Sequence, residues 1–569
     1  MNNQITQTPP PDNEPVRDYA PGSDERRSLQ RRLRELKEDA IEIPAFIGGE
    51  ALRTGDTREV VCPHEHDHTL ARVHMCGEAE VERAIEAARE AQESWREMPW
   101  SERAAVFLRA AELLAGPWRD TLNAASMLGQ SKTAHQTEID AACELIDFLR
   151  FNVHFMEQIY QNQPRSSPGI WNRMQYRPLE GFVLAITPFN FTSIQANLPA
   201  APALLGNVTL WKPATTSVYS AYYFYKLMEE AGLPSGVINM LPGKGADVGD
   251  PALASPHLAG LHFTGSESTF QHLWQAIGDN IDRYHSFPRI VGETGGKDFI
   301  VAHASADPDA VATAITRGSF EYQGQKCSAA SRIYAPESLW PDIKDTLTSQ
   351  LGDLKIGSPE EFTNFISAVI DDDAFEKITG YIDTAREQED AEIVFGGDYD
   401  DSTGYFIEPT VIEVQDPKDR TMREEIFGPV VSIYVYPDDE YAETLDLIDE
   451  TSPYALTGGV FGRDRAATRQ AVDALEDAAG NFYINDKPTG AVVGQQPFGG
   501  ARRSGTNDKA GSILNLLRWT NARSIKENLD PPTDYEYAFH QPDVASQAKQ
   551  AGDGRAEATS AAKATSSQE

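Results

Sequence analysis

Apolar residues between positions 181 and 301 occur in short runs that alternate with stretches of helical periodicity. Five β-rich runs begin at Gly181, Asn207, Val237, Leu258 and Pro288. Strands that alternate with helices form parallel, doubly wound sheets, and such sheets bind ligands at the carboxyl ends of their strands. The pattern therefore predicts an α/β domain whose site lies where these five strands end.

A second α/β block is predicted from about residue 297 to residue 480. Two helices are expected, near 308–322 and 339–350, with apolar strands starting at Ala391, Thr410, Val430 and Ala455. Two amphipathic helices are predicted before the first block. Their apolar positions are Val81, Ile85, Ala88 and Trp95 in the first and Ala105, Leu108, Ala111 and Leu114 in the second. We expect the second block to be a separate domain, because its strands and helices supply a core of their own.

Polar segments lie outside both blocks. Residues 1–24 are polar and rich in proline, and residues 543–569 have low complexity, so both ends are expected to be disordered. We expect a hairpin at about 161–180 and a late strand within 512–528. Pieces of this kind commonly form arms between the subunits of an oligomer.

Composition argues against a nucleic-acid partner and indicates the kind of organism from which the protein comes. The 569 residues carry 50 Lys+Arg and 87 Asp+Glu, a net charge of −37, which repels nucleic-acid phosphates. The charge exceeds what solubility requires, and arginines outnumber lysines. We favour a halophilic source; the alternative is an ordinary acidic cytoplasmic protein.

Cysteine usage and hydropathy indicate the cytoplasm. The four cysteines, Cys62, Cys76, Cys143 and Cys327, form no C-x-x-C pair, so neither a disulfide framework nor a metal site is expected. No apolar run approaches the roughly 20 residues of a membrane span, and the N-terminus lacks the apolar core of a secretion signal. We therefore expect a cytoplasmic protein with no membrane partner.

Candidate chemistry is concentrated at the ends of the predicted strands. Cys327 follows a glycine-containing loop and is a candidate nucleophile, Glu293 ends an apolar strand, and Asn190 follows another. Lys212 and Ser266 end two further strands, where an ammonium suits ribose hydroxyls and a helix start suits a pyrophosphate. Each has a plain structural alternative: a buried thiol, helix caps for Glu293, Asn190 and Ser266, and a solvated lysine.

Six motifs, in this order, resemble the aldehyde dehydrogenase superfamily: ITPFNF, WKP, FTGS, ETGGK, GQKC and EEIFGPV. The stretch 480–511 and the segment FEYQGQKCSA resemble, more narrowly, the delta-1-pyrroline-5-carboxylate dehydrogenase family. The resemblance covers about residues 18–540. It departs at Gln323, where a small glycine is usual, and at Arg503, where alanine is usual.

The resemblance implies a role for each matching residue. Cys327 would be the nucleophile, Glu293 the general base, and Asn190 an oxyanion donor. Cofactor contacts would come from Ile186, Thr187, Pro188, Lys212, Gly265, Ser266, Glu425 and Phe427. Substrate contacts would come from Phe191, Ser328, Gly490, Ala491 and Phe498.

The resemblance also implies an aldehyde dehydrogenase-like fold of two doubly wound α/β domains and a small β oligomerisation arm. The cofactor domain would comprise residues 25–296 and the catalytic domain residues 297–485. Residues 486–542 would return to the first domain and form the arm. It implies NAD as cofactor, with NADP possible, and a homodimer or a higher oligomer built from dimers.

The implied reaction is the oxidation of L-glutamate γ-semialdehyde to L-glutamate through a cysteinyl thioester, the second step of proline catabolism. The alternatives are a dehydrogenase for another amino-acid semialdehyde or an aliphatic aldehyde, and a non-catalytic binding protein with the same fold.

Overall fold

The computed structural model describes residues 6–541 and contains two seven-stranded sheets. In spatial order the first sheet contains Arg289–Glu293, Leu258–Thr264, Phe182–Ile186, Val208–Lys212, Ile238–Met240, Ala45–Ile47 and Glu50–Leu52. The first five are the predicted strands and are mutually parallel. Their register pairs Ile186 with Lys212 and Thr264 with Glu293, so the predicted edge gathers several candidate residues.

The second sheet contains Ala391–Phe395, Thr410–Val414, Val430–Tyr436, Ala330–Pro336, Asp298–Ala302, Thr457–Phe461 and Asn481–Ile484. All neighbours are parallel except the first pair. Three of these strands, beginning at Asp298, Ala330 and Asn481, were not predicted from the sequence. The α/β fold class with two doubly wound sheets is confirmed.

Helices cover the sheets, which is why the central strands are apolar on both faces. Those of the first part of the chain are Asp24–Glu38, Glu78–Glu97, Trp100–Ala115, Arg119–Gln130, Ala134–Thr137, the π-helix Glu138–Glu144, Leu145–Gln161, Thr192–Leu204, Val218–Ala231, Gly245–Ala254 and Glu267–Asp279. Those that follow are Pro308–Phe320, Trp340–Asp353, Asp372–Glu387, Arg420–Arg423, Tyr441–Thr451, Arg465–Ala474 and Ile513–Leu517.

Smaller sheets complete the fold. The strands Ile41–Ile43, Glu65–His74 and Thr57–Cys62 form one; Tyr399–Asp400 pairs with Phe406–Ile407, and Tyr454–Ala455 pairs with Ala501–Arg502. A separate compact unit, which includes residues 162–175 and 523–541, contains most of a ribbon in which Ile170–Arg177 pairs with Asn521–Asn528.

The stretch 161–180, expected as a hairpin, contains one long strand whose regular partner is the late strand. The preceding residues turn back along this strand, with an isolated bridge between Ser167 and Ile170 and a hydrogen bond from the Met174 N–H to the Gln163 side chain at 2.8 Å. Pro164 and Pro168 explain why they add no regular ladder, since proline has no backbone N–H to donate.

The N-terminal segment is also ordered, contrary to the expected disorder of residues 1–24. The backbone N–H of Glu14 donates to Asp147 at 2.8 Å, and the Tyr19 hydroxyl donates to Glu138 at 2.8 Å. These carboxylates are buried and need donors, which the polar segment supplies. Residues 1–5 and the predicted tail over 543–569 lie outside the described residues.

Candidate active site

Cys327 lies after a tight turn that the fold holds under backbone strain. Tyr322 and Gln323 have φ values of 54° and 55°, in the left-handed region that costs about 1–2 kcal/mol for a residue other than glycine. The Gln323 side chain is buried and donates to the carbonyls of Ser131 at 3.1 Å and Ala368 at 2.7 Å. These two hydrogen bonds fix the turn at the position where the sequence departs from the family pattern.

The Cys327 thiol is partly exposed where two cavities meet. One cavity has a volume of about 1100 Å³ and the other about 1220 Å³, and Cys327 lines both. Burial raises the pKa of the thiol well above its ordinary value, and the Asp298, Glu425 and Glu293 carboxyls raise it further. The resting group is therefore the neutral thiol, and its attack on an electrophile requires a base.

Glu293 is the buried carboxyl at the end of the strand Arg289–Glu293. Its Oε2 accepts the backbone N–H of Gly500 at 2.9 Å, and its side chain lines the 1100 Å³ cavity with Cys327. Burial raises the pKa of Glu293 to about 8, opposed by the Gly500 hydrogen bond and the Lys509 charge. A carboxyl with this pKa can both take and return a proton near neutral pH.

Asn190 is buried beside the thiol on the other cavity. Its Nδ2 donates one hydrogen to the Gln325 carbonyl at 3.0 Å, and an amide carries a second hydrogen that can donate to an oxyanion. The helix-cap alternative for Asn190 is wrong, because the helix Thr192–Leu204 has Phe191 at its N-cap. Asp140 instead accepts the first free N–H groups, those of Thr192 at 2.9 Å and Ser193 at 2.8 Å.

The 1220 Å³ cavity gathers the residues that sequence analysis assigned to the cofactor, except Lys212. Its lining includes Ile186, Thr187, Pro188, Gly265, Ser266, Glu425 and Phe427. Ser266 also fulfils its plain alternative, since it caps the helix Glu267–Asp279 by accepting the Thr269 N–H at 3.3 Å. Lys212 lies at the end of the adjacent strand, with a pKa lowered to about 8 by burial.

Gly295 leaves room for the Glu425 carboxyl at the wall of this cavity. A Cβ on Gly295 would lie 2.2–2.5 Å from the Glu425 carboxyl, and that carboxyl accepts the Gly296 N–H at 3.0 Å. Burial raises the pKa of Glu425. The ETGG segment thus lets Glu425 reach the cavity beside Cys327, which fits the ribose-binding role expected for this carboxylate.

The 1100 Å³ cavity is lined by all five residues expected to contact substrate: Phe191, Ser328, Gly490, Ala491 and Phe498. The Ser328 hydroxyl lies 2.9 Å from the Thr489 hydroxyl, and the Lys487 ammonium donates to the Thr489 carbonyl at 2.9 Å. Gly490 has a φ of +96°, which glycine adopts without strain.

Sequence reasoning missed two lysines of this cavity. Lys326 and Lys487 both line it, and Lys326 pairs with Glu321 at 3.1 Å. Lys326 directly precedes Cys327 in the GQKC motif, so this signal was available in the sequence; Lys487 is placed only by the fold. Glu321, which also lines the cavity, offsets one of the two ammonium charges, and the other can attract a substrate carboxylate.

The sequence analysis expected neither a metal site nor a membrane span. Over residues 6–541, no group of three or more metal-ligating side chains is assembled. Across the same part of the chain, every helix is too short or too polar to cross a bilayer.

Comparison with known proteins agrees with this geometry. The model of the aldehyde dehydrogenase family matches residues 52–525. The delta-1-pyrroline-5-carboxylate dehydrogenase of Dictyostelium discoideum, named as mitochondrial, is 51% identical over 534 residues, 93% of this chain and 96% of that protein. Its human counterpart, also named as mitochondrial, is 49% identical over 530 residues, 93% of this chain and 94% of that protein.

A solved structure extends the comparison to the fold. The delta-pyrroline-5-carboxylate dehydrogenase of Mycobacterium tuberculosis bound with NAD has a TM-score of 0.92 and 55% identity to this chain. The match covers 95% of this chain and 100% of that one. This chain therefore belongs to the aldehyde dehydrogenase family.

Proposed function

We propose that the protein oxidises L-glutamate γ-semialdehyde, the open form of delta-1-pyrroline-5-carboxylate, to L-glutamate with NAD⁺ in proline catabolism. The observation that carries the proposal is the meeting of two cavities at Cys327, one beside Asn190 and one beside Glu293. The relatives named above support the choice of substrate, and the NAD-bound neighbour supports the choice of cofactor.

The reaction begins at the Cys327 thiol. As its sulfur adds to the aldehyde carbon, the thiol proton must leave, and the Glu293 carboxylate is the buried base in the same cavity. The carbonyl oxygen becomes an alkoxide, which the Asn190 amide and the Cys327 backbone N–H stabilise by hydrogen bonding.

The cofactor would be held by the 1220 Å³ cavity. Ser266 and the start of its helix would bind the pyrophosphate, and Lys212 and Glu425 would bind the two riboses. When bound, the oxidised nicotinamide supplies an acceptor for the hydride that leaves the substrate carbon. The product of that step on the protein is the Cys327 thioester.

Hydrolysis of the thioester completes the cycle. Glu293 first releases to solvent the proton that it took from the thiol. It then takes a proton from water, and the resulting hydroxide adds to the thioester carbon. The C–S bond breaks, glutamate leaves, and Glu293 returns the proton to the Cys327 sulfur. The two-stage path replaces one difficult step with two easier ones.

Substrate orientation comes from the other end of the cavity. The Ser328 hydroxyl and the backbone of Gly490 and Ala491 would anchor the α-carboxylate, and Phe191 and Phe498 would flank the aliphatic chain. Anchoring at both ends makes the attack of the thiol effectively unimolecular.

The test is NADH formation from pyrroline-5-carboxylate by the wild type, by Cys327→Ala and by Cys76→Ala, a buried cysteine outside both cavities. We expect turnover by the wild type and Cys76→Ala and none by Cys327→Ala. Comparable catalytic efficiency with acetaldehyde would contradict the proposed carboxylate anchor and favour an aliphatic aldehyde, since such an anchor discriminates by several kcal/mol.

We also propose a cellular compartment, an adaptation to salt, domain bounds and an oligomeric state. The four free cysteines support a reducing compartment, which we propose to be the cytoplasm. The net charge of −37 supports adaptation to high salt. We propose a cofactor domain over 25–296, a catalytic domain over 297–485, and the ribbon of 170–177 with 521–528 as the oligomerisation arm of a homodimer.

A further inference from the structure

Lys509 donates to several acceptors close to the proposed general base. Its ammonium donates to the carbonyls of Gly480 at 2.6 Å and Gly499 at 2.9 Å, and to the Asn481 side chain at 3.2 Å. All three acceptors are neutral. In the part of the chain that the structure describes, no carboxylate forms an ion pair with Lys509, so its charge is not neutralised locally.

One peptide group connects this ammonium to Glu293. The Gly499 carbonyl accepts from Lys509, and the N–H of the same peptide, which belongs to Gly500, donates to Glu293 Oε2 at 2.9 Å. Hydrogen bonds on both sides of one peptide polarise it and strengthen each other in a low-dielectric interior. A positive charge at the carbonyl end therefore makes the N–H a better donor to the carboxylate.

The packing leaves little room at Gly499 and none for a side chain at Gly500. A Cβ on Gly499 would lie 3.2 Å from Glu293 Oε1, and a Cβ on Gly500 would lie 2.5 Å from Ser504 Cβ. Lys509 itself has a φ of +52°. Its left-handed backbone is a local strain of the kind that accumulates at functional sites.

The same segment holds the aromatic wall of the cavity. Ala510, next to Lys509, exchanges backbone hydrogen bonds with Phe498 at 3.0 and 2.7 Å. Lys509 therefore contacts the loop that carries both Phe498 and Gly500. Loss of its hydrogen bonds would disturb the loop, whereas loss of its charge would act on Glu293.

Other charged groups around Glu293 do not replace Lys509. Asp508 opposes ionisation of Glu293 and is itself 3.3 Å from Arg518. His262 is buried, and burial lowers its pKa to about 4, so it is neutral. The remaining titratable groups that line the cavity are Glu144, Glu321, Lys326, Cys327 and Lys487.

We propose that Lys509 is a positioning residue that acts through the Gly499–Gly500 peptide to orient the Glu293 carboxylate and stabilise its ionised form. The proposal rests on the general-base role of Glu293 in the proposed function. Because Glu293 is the proposed base of both the thiol attack and the hydrolysis, Lys509 acts in both steps, and its effect on turnover is measured in hydrolysis, the step that limits the steady-state rate.

The test uses p-nitrophenyl acetate, which needs neither NAD⁺ nor the proposed substrate. The Cys327 sulfur displaces p-nitrophenolate from the ester in a first burst, and water deprotonated by Glu293 then releases acetate and regenerates the thiol. Burst amplitude and steady-state rate are measured against pH for the wild type, Lys509→Met, Lys509→Gln and Lys509→Arg. Lys418→Met, which removes a half-exposed lysine paired with Glu450, is the matched control.

We expect Lys509→Met and Lys509→Gln to keep the burst amplitude, with a slower burst, and to move the acid limb of the steady-state rate up by about one pH unit. That shift makes hydrolysis at pH 7 about tenfold slower. Lys509→Arg restores the charge and most of the profile, and Lys418→Met matches the wild type. Lys509→Gln separates charge from hydrogen bonding, because it can still donate to the Gly499 carbonyl, and it keeps the comparison possible if Lys509→Met does not fold.

An unchanged acid limb in folded Lys509→Met or Lys509→Gln overturns the proposal, as does an equal shift in Lys509→Arg. A wild type that forms the burst but shows no pH-dependent hydrolysis also overturns it, since Glu293 would not be the base. A wild type that hydrolyses the ester but does not oxidise pyrroline-5-carboxylate contradicts the proposed function alone and leaves the Lys509 result decisive.

Discussion

Replacement of Glu293 by glutamine separates the two halves of the proposed reaction. Glutamine has the same size and can still accept the Gly500 N–H, so the turn and both cavities are retained. Thioester hydrolysis loses its base, and positioned general bases contribute about 10²- to 10⁴-fold to a rate. We expect steady-state NADH production to fall by that factor while one turnover of NADH per site still appears as a burst, more slowly.

The wild-type pH dependence follows from the same group. Glu293 acts as its carboxylate, and burial raises its pKa to about 8, so hydrolysis is lost as the pH falls through that value. About 1% of the group is ionised at pH 6, about 9% at pH 7 and about 50% at pH 8. Turnover limited by hydrolysis should therefore rise about ninefold from pH 6 to 7 and about fivefold from pH 7 to 8.

Rapid mixing with pyrroline-5-carboxylate and NAD⁺ measures burst and steady state separately, and mass spectrometry of the quenched protein detects the acylated Cys327. Glu392→Gln, an exposed carboxyl on the strand Ala391–Phe395, is the control and should behave as the wild type. An acid limb near pH 4.5, or Glu293→Gln with full steady-state turnover, would refute the assignment of the base.

Three other perturbations test the surroundings of the site. Asn190→Ala should lower kcat about 10²- to 10³-fold, measured as NADH formation, because it removes one oxyanion donor; a loss below threefold would contradict that role. Lys132→Met should destabilise the fold by about 3–5 kcal/mol in urea titrations, because it leaves Asp140 buried without its 2.5 Å partner; an unchanged midpoint would contradict the pairing. The Tm of the wild type should rise from low to molar KCl as the charge of −37 is screened, and peak stability without salt would contradict adaptation to salt.

The sheet was predictable because its strands are buried on both faces and bounded by turns, which leaves a run of apolar residues such as 182–186. The helices over 119–161 were missed for the opposite reason. Almost every residue of Arg119–Gln130 is buried, including the polar residues Asn123, Ser126 and Gln130. Polar residues in the sequence therefore do not mark a solvent-exposed face in this helix, and the usual sign of a surface helix is absent.

Some residues of the candidate site could be predicted from the sequence and others could not. Cys327, Glu293 and Asn190 carry their chemistry in short motifs at strand ends, and a sequence displays those directly. Lys509 does not, because its significance is its hydrogen bond to the Gly499–Gly500 peptide, which holds a carboxylate 207 positions earlier in the chain. Contacts between residues so far apart in the sequence form only in the folded protein, and no local sequence pattern predicts them.

The burial that raises the pKa of Glu293 also costs stability. Its pKa is about 8 in the fold against an ordinary 4.5, so its contribution is fully present below pH 4.5 and is lost as the pH rises through 8. The difference amounts to a few kcal/mol at alkaline pH. Glu293→Gln should therefore unfold at higher temperature than the wild type at pH 9 and at nearly the same temperature at pH 5. A variant that is slower in hydrolysis and more stable at alkaline pH would show that the buried carboxyl lowers the stability of the fold and raises the rate of the reaction.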